Sequence, residues 1–133
     1  MKILIVDDSK RLRKLIISLL RDNGTEFYEA EDGCFALTEY IRIKPDVVLM
    51  DIMMEIENGL EAAGQILRRY PSAKIILVTN YDDNAYRDAA NALGITGYIL
   101  KENLTYLPGV IKNIYSGNLN TQNLSVQTGG NPQ

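Results

Sequence analysis

Apolar runs of four or so residues recur along the chain, separated by longer stretches in which apolar positions return every three or four residues. Ile3 to Val6, Val47 to Met50 and Lys74 to Thr79 have no polar alternation within their apolar stretches, the mark of strands covered on both faces. Tyr98 to Leu100 is a shorter run of the same kind, and Glu26 to Ala30 is a weaker, alternating strand. Between them lie amphipathic helical patterns. Leu12, Leu15, Ile16, Leu19 and Leu20 form a stripe over residues 10–22, with Asp7-Asp8-Ser9 offering caps before it and Asn23-Gly24 a stop after it. A second helix starts at Glu31-Asp32-Gly33 and runs to about Ile43 before Pro45. A third covers roughly 59–69, with Leu60, Ala63, Ile66 and Leu67 inward. The fourth is capped by Asp82 and runs through Leu93 to Gly94, and the last spans 104–116. Strand and helix alternate five times through short loops. The pattern predicts an α/β domain of flavodoxin-like, doubly wound (βα)5 type, with a parallel five-stranded sheet in the order 2-1-3-4-5.

The tail changes character. Residues 117–133 contain no charged residue and are rich in Asn, Gln, Gly, Ser and Thr. That composition reads as a linker-like or disordered tail behind a domain at 1–116, and favours a chain cut within its linker over a single-domain protein.

Composition narrows the chemistry. With 133 residues, 46% of them apolar, the chain suffices for one ordinary domain. A net charge of -3 and the lack of a dense Lys/Arg run argue against direct contact with nucleic acid. Cys34 is the only cysteine and there is no histidine, so no internal disulfide, thiolate zinc site or imidazole base is available. Cys34 is expected to be buried or half-buried. The opening apolar run is too short for a signal sequence or membrane span, and cytoplasmic localisation is the natural expectation.

The strand ends carry the candidate chemistry. All C-termini of a parallel sheet lie along one edge, where ligands bind. Asp7 and Asp8 follow the first strand, Asp51 the third, Thr79 the fourth and Lys101 the fifth. From its own stretch alone, Asp51 fits a turn-capping acid and a functional acid equally well. The first and third strands are neighbours in the expected order, however, so three carboxylates crowd together. Two like charges about 4 Å apart repel by roughly 4 kcal/mol at an effective dielectric near 20. Such a cluster holds a proton or recruits a hard cation, and an oxygen-only donor set points to Mg²⁺, with Mn²⁺ as a substitute. Thr79 can donate a hydrogen bond and the Lys101 ammonium can neutralise developing charge. The pocket suits placing a phosphoryl group on an acid, with Asp51 as nucleophile.

At these residues the sequence resembles the receiver domain of two-component response regulators, the CheY-like family. The segments that carry the resemblance are Ile3-Leu4-Ile5-Val6-Asp7-Asp8, Glu31-Asp32-Gly33, Pro45 through Met54, Val78-Thr79 and Gly97-Tyr98-Ile99-Leu100-Lys101. The stretch from Leu93-Gly94 to Lys101-Glu102 is most similar to receivers of NarL/LuxR type, whose output domain binds DNA. The resemblance implies a phosphoprotein of a phosphorelay, with Asp51 accepting a phosphoryl group from a sensor histidine kinase or phosphotransfer protein. It implies Mg²⁺ held by Asp8, Asp51 and the Met53 backbone carbonyl, with Asp7 assisting. Lys101 would pair with a phosphoryl oxygen, Thr79 would move towards another, and Tyr98 would turn inward with it. The face of helix 4, strand 5 and helix 5 would then change and control an output domain, transcriptional by this likeness, or a separate partner. A homodimer formed on phosphorylation, and kinase docking through Leu12 and Leu15, are further implications. Lys10, Arg11, Arg13 and Lys14 read otherwise as a solvated face.

The sequence also departs from the family's pattern. Glu55 stands where Pro usually follows, Glu57 occupies a usually apolar position, Asn80 replaces a common small Ala, and Glu102 a frequent Pro. The expectation is a less rigid, more acidic loop after Asp51. Met53 and Tyr81 are expected to flank the pocket and to set the lifetime of the phosphoryl group. Rival readings are weaker. A haloacid-dehalogenase-type enzyme carries a second Asp two residues after the nucleophile, where this chain has Met53. A flavodoxin needs a phosphate cradle where this chain has acids. A receiver-like docking module that works without phosphorylation is the alternative, set against a full set of site residues. On the leading reading the chain turns over no external metabolite and is not an enzyme beyond its own phosphorylation and dephosphorylation.

Overall fold

A computed structural model describes residues 1–116, so the expected tail at 117–133 lies outside the described residues. Strands β1 (Lys2–Val6), β2 (Glu26–Ala30), β3 (Val47–Met50), β4 (Ile75–Thr79) and β5 (Gly97–Leu100) pair in parallel in the order 2-1-3-4-5. Helices α1 (Lys10–Leu20), α2 (Ala36–Ile43), α3 (Gly59–Arg69), α4 (Asn84–Leu93) and α5 (Leu107–Ser116) make the crossovers. This is the flavodoxin-like arrangement expected from the pattern.

Alternation within the central strands sends side chains to two separate cores. Leu4, Val6, Val48, Met50, Ile75, Leu77 and Tyr98 pack beneath α2, α3 and α4. Ile3, Ile5, Val47, Leu49, Ile76, Val78 and Ile99 pack beneath α1 and α5. Because every residue of β3 and β4 is buried, the sheet's middle has no wet face, and polar groups collect at the strand ends.

Several boundaries differ from the sequence reading for identifiable reasons. Asp83, not Asp82, caps α4: its Oδ1 accepts from the Ala85 N–H at 2.7 Å, while Asp82 is engaged by Arg87 Nε at 2.8 Å. The helix expected from Glu31 begins as a 3-10 turn, Gly33–Phe35, capped by Asp32. The last helix begins at Leu107 after an irregular 3-10 stretch, Lys101–Tyr106, with Pro108 in its first turn where no donor is required. In α1 the inward residues are Arg13, Ile16 and Ile17, while Leu15 is 47% exposed. Cys34 is exposed, not buried, because the 3-10 turn aims it away from the sheet. Among the described residues, no helix is long and apolar enough to cross a membrane.

Candidate functional site

Register builds the site. Val6 pairs with Met50 across β1 and β3, so the next residue of each strand, Asp7 and Asp51, emerges side by side. The Asp51 N–H still donates to the Val6 carbonyl at 2.9 Å, and the Asp7 N–H to the Ala30 carbonyl at 3.0 Å. Both acids are therefore held by the last rungs of the sheet ladder. Each is nearly inaccessible, at 2% exposure for Asp7 and 5% for Asp51, whereas Asp8 faces solvent. One carboxylate oxygen from each of Asp7, Asp8 and Asp51 can be drawn from a cluster within 4.8 Å. That cluster offers hard oxygen donors and one open, wet side, which fits a divalent cation of the Mg²⁺ class.

Lys101 adds a positive charge to the cluster. It follows β5, and its Nζ lies 3.1 Å from Asp7 Oδ2 and 3.3 Å from Asp51 Oδ2. One ammonium thus bridges two carboxylates that would otherwise repel. Burial, and then the Asp7 charge, push the Asp51 carboxyl up to about 6, with Lys101 holding it back from a larger rise. An acid so poised is partly ionised near neutral pH and gains from any added cation.

Thr79 ends β4 with no exposed surface, and its Oγ1 accepts from the Tyr81 N–H at 3.2 Å. Tyr98 is 2% exposed and points inward, its hydroxyl donating to the Tyr81 carbonyl at 2.5 Å. The Arg87 guanidinium lies 4.3 Å from the Tyr98 ring centroid. Burial pushes the Tyr98 hydroxyl up to about 12, so it stays a donor at all ordinary pH. Met53 and Tyr81 are both about half exposed. They are joined through Tyr86, whose hydroxyl lies 3.6 Å from Met53 Sδ and whose ring meets Tyr81 edge-on at 6.3 Å.

Comparison with known proteins gives the chain's family. The family model described as the response regulator receiver domain matches residues 3–107. The chain belongs to the response regulator receiver family. Receivers are signalling domains of two-component systems. This receiver is 37% identical over 102 residues to the chemotaxis protein CheY of Listeria monocytogenes, a match covering 76% of this chain and 86% of that protein. A two-component response regulator of the LuxR family from Aurantimonas superposes with a TM-score of 0.81 at 29% identity, over 87% of this chain and 85% of that one. The response regulator TrrA of Thermotoga maritima, solved in complex with Mg(2+)-BeF, superposes with a TM-score of 0.76 at 35% identity, over 85% and 97% of the two chains.

Two residues of this receiver were misread from sequence. Arg13, assigned to a solvated face, is buried at 9% exposure, donates from Nη1 to the Asp7 carbonyl at 2.6 Å and pairs through Nε with Glu29 at 2.8 Å. Its spacing held the signal, because positions 13, 16 and 17 share one helical face. Asp32, read as a helix start within a segment that carries the resemblance, receives main-chain N–H groups from two loops. Burial alone would push its carboxyl up, but the donors Ile56, Cys34 and Glu57 hold it below the ordinary carboxylate range. Glu57, an unusual acid at its position, is half-buried, and its Oε2 finds no hydrogen-bond partner among the described residues. Burial, then Glu61 and Asp32, push the Glu57 carboxyl up. The two residues expected to dock a kinase differ: Leu15 is exposed, whereas Leu12 is half-buried against the α1–α5 core.

Proposed function

We propose that this receiver accepts a phosphoryl group on Asp51 from a phosphohistidine of a sensor kinase or phosphotransfer protein. The observation that carries the reading is the Lys101 ammonium, within 3.3 Å of both Asp7 and Asp51, beside a buried acid at the end of the central strand. An ionised Asp51 oxygen attacks phosphorus, forming an acyl phosphate as the phosphorus–nitrogen bond to the donor imidazole breaks and that imidazole takes a proton. Lys101 is then free to pair with a phosphoryl oxygen, because its contact with Asp51 is given up as the carboxylate becomes a mixed anhydride. Asp7, Asp8, Asp51 and the Met53 carbonyl would hold Mg²⁺ or Mn²⁺, which when bound offsets the negative charge gathered around the transferring group.

Thr79 gives up its local bond to the Tyr81 N–H and donates to a second phosphoryl oxygen. Tyr98, tied to the Tyr81 carbonyl, follows that loop, and the α4–β5–α5 face changes with it. A transcriptional output domain, a separate partner protein or a second phosphorylated copy reads that face in the cytoplasm. Residues 1–116 form the receiver domain. Catalysis is confined to the chain's own phosphorylation and dephosphorylation.

Acetyl phosphate with Mg²⁺ supplies the test. Intact mass should rise by one phosphoryl group in the parent and not in Asp51→Asn. A parent chain that gains nothing would instead favour a docking module that works unphosphorylated.

A further inference from the structure

We propose that Asp32 is a positioning residue for the acceptor site, holding the loop after Asp51 so that the Met53 carbonyl and the acids stand ready for a divalent cation. This deepens, and rests on, the reading of Asp51 as phosphoacceptor. The Asp32 side chain belongs to the turn after β2, and it is 3% exposed. Its Oδ1 accepts from the Cys34 N–H and the Glu57 N–H, each at 3.0 Å, and its Oδ2 accepts from the Ile56 N–H at 2.8 Å. One carboxylate therefore joins segments 24 and 25 residues apart.

The junction is tight as well as bonded. A Cβ on Gly33 would stand 2.7 Å from the Glu57 carbonyl oxygen, so the two backbones touch. At the other end of the loop the Gly59 N–H donates to the Ile52 carbonyl at 2.8 Å, closing its neck against Asp51. Met53 lies between neck and grip. The loop has Glu55 in place of a ring that would fix its backbone, and its tip is held from outside by Asp32.

Only a carboxylate can serve all three donors. An amide keeps one acceptor oxygen and turns an NH2 group towards a main-chain N–H. Groups that orient the ligands of a metal typically change affinity by roughly 10-fold or more when removed.

The test uses the full chain and calorimetric titration with Mg²⁺ alone. Asp32→Ala should weaken Mg²⁺ binding by roughly 10-fold and Asp32→Asn by less. A core variant on the other face of the sheet with a comparable loss of thermal stability, Ile111→Val, should leave the affinity at the parent value. Amide exchange at Ile56 and Glu57 should quicken in both Asp32 variants while Val6 and Asp51 keep parental protection. Parental Mg²⁺ affinity in Asp32→Asn, or an equal loss in Ile111→Val, would overturn the positioning role even if exchange quickens. So would a parent chain that binds no Mg²⁺. A parent that binds Mg²⁺ but takes no phosphoryl group sinks the phosphoacceptor reading alone, since the effect of Asp32 on Mg²⁺ affinity is read without phosphorylation.

Discussion

The loops after β1 and after β3 perform the same task by different means. Each delivers a carboxylate to the sheet edge, and the two acids end side by side. The first loop is held by its near neighbours. The Ser9 N–H donates to Asp7 Oδ1 at 2.8 Å, Ser9 Oγ caps the Leu12 N–H at 3.2 Å, and Arg13, six residues on, holds the Asp7 carbonyl. The second loop is held from a distance, by Asp32 at its tip and by the close approach of Gly59 to Asp51 at its neck. A short loop followed at once by a helix can draw its order from the helix end. A longer loop must borrow order from elsewhere, because each residue fixed costs about 1–2 kcal/mol of backbone entropy.

If that contrast is right, the neck at Gly59 should be the most sensitive point. A Cβ there would stand 1.9 Å from the Asp51 carbonyl oxygen, a main-chain atom that cannot swing aside. Gly59→Ala should lower the free energy of unfolding by about 3 kcal/mol, at the upper end of overpacking costs. Urea denaturation measures it, and a loss below about 1 kcal/mol would show that the neck yields.

Next in size is Arg13. Arg13→Met keeps the buried stem but leaves the Asp7 carbonyl without its charged donor, a loss of about 2 kcal/mol. Exchange at Ile56 and Glu57 should stay parental in this variant, since the second loop has its own anchor. Quickened exchange there would mean the two loops are one unit.

The last effect concerns the charge shared between them. In metal-free protein the Asp51 carboxyl should titrate near 6, followed by carbon NMR of its carboxyl group, against an ordinary value of 3.8. The raised value means that the folded chain holds a proton the unfolded chain has released. Stability from this group is full below about pH 4 and is lost as the pH rises through about 6. Asp7→Asn removes the second-largest cause of the rise and should lower the Asp51 midpoint, while Asp51→Asn should flatten the stability profile over this window. A midpoint unmoved by Asp7→Asn would leave burial as the whole cause.

The contrast between the loops also explains what could be read without coordinates. Strand order followed from runs such as Val47 to Met50, since a strand with no polar alternation must be covered on both faces. The meeting of Asp7, Asp51 and Lys101 followed in turn, because parallel register places every strand end on one edge. Those inferences needed only local pattern and the rules of sheet connection. Arg13 was within reach through its spacing from Ile16 and Ile17, but its charge outweighed its face. Asp32 was not, because its donors come from residues 56 and 57, and no periodicity links a carboxylate to main-chain groups so far along the chain.

By itself, then, the sequence determined the layered sheet, the strand order and which acids, hydroxyl and amine share the edge. Only the tertiary structure decided how the loop beyond Asp51 is held and that Tyr98 is fastened to the Tyr81 carbonyl. Side-chain patterning records what each face must bury. Main-chain hydrogen bonds between distant loops leave almost no trace in the identity of the residues that make them.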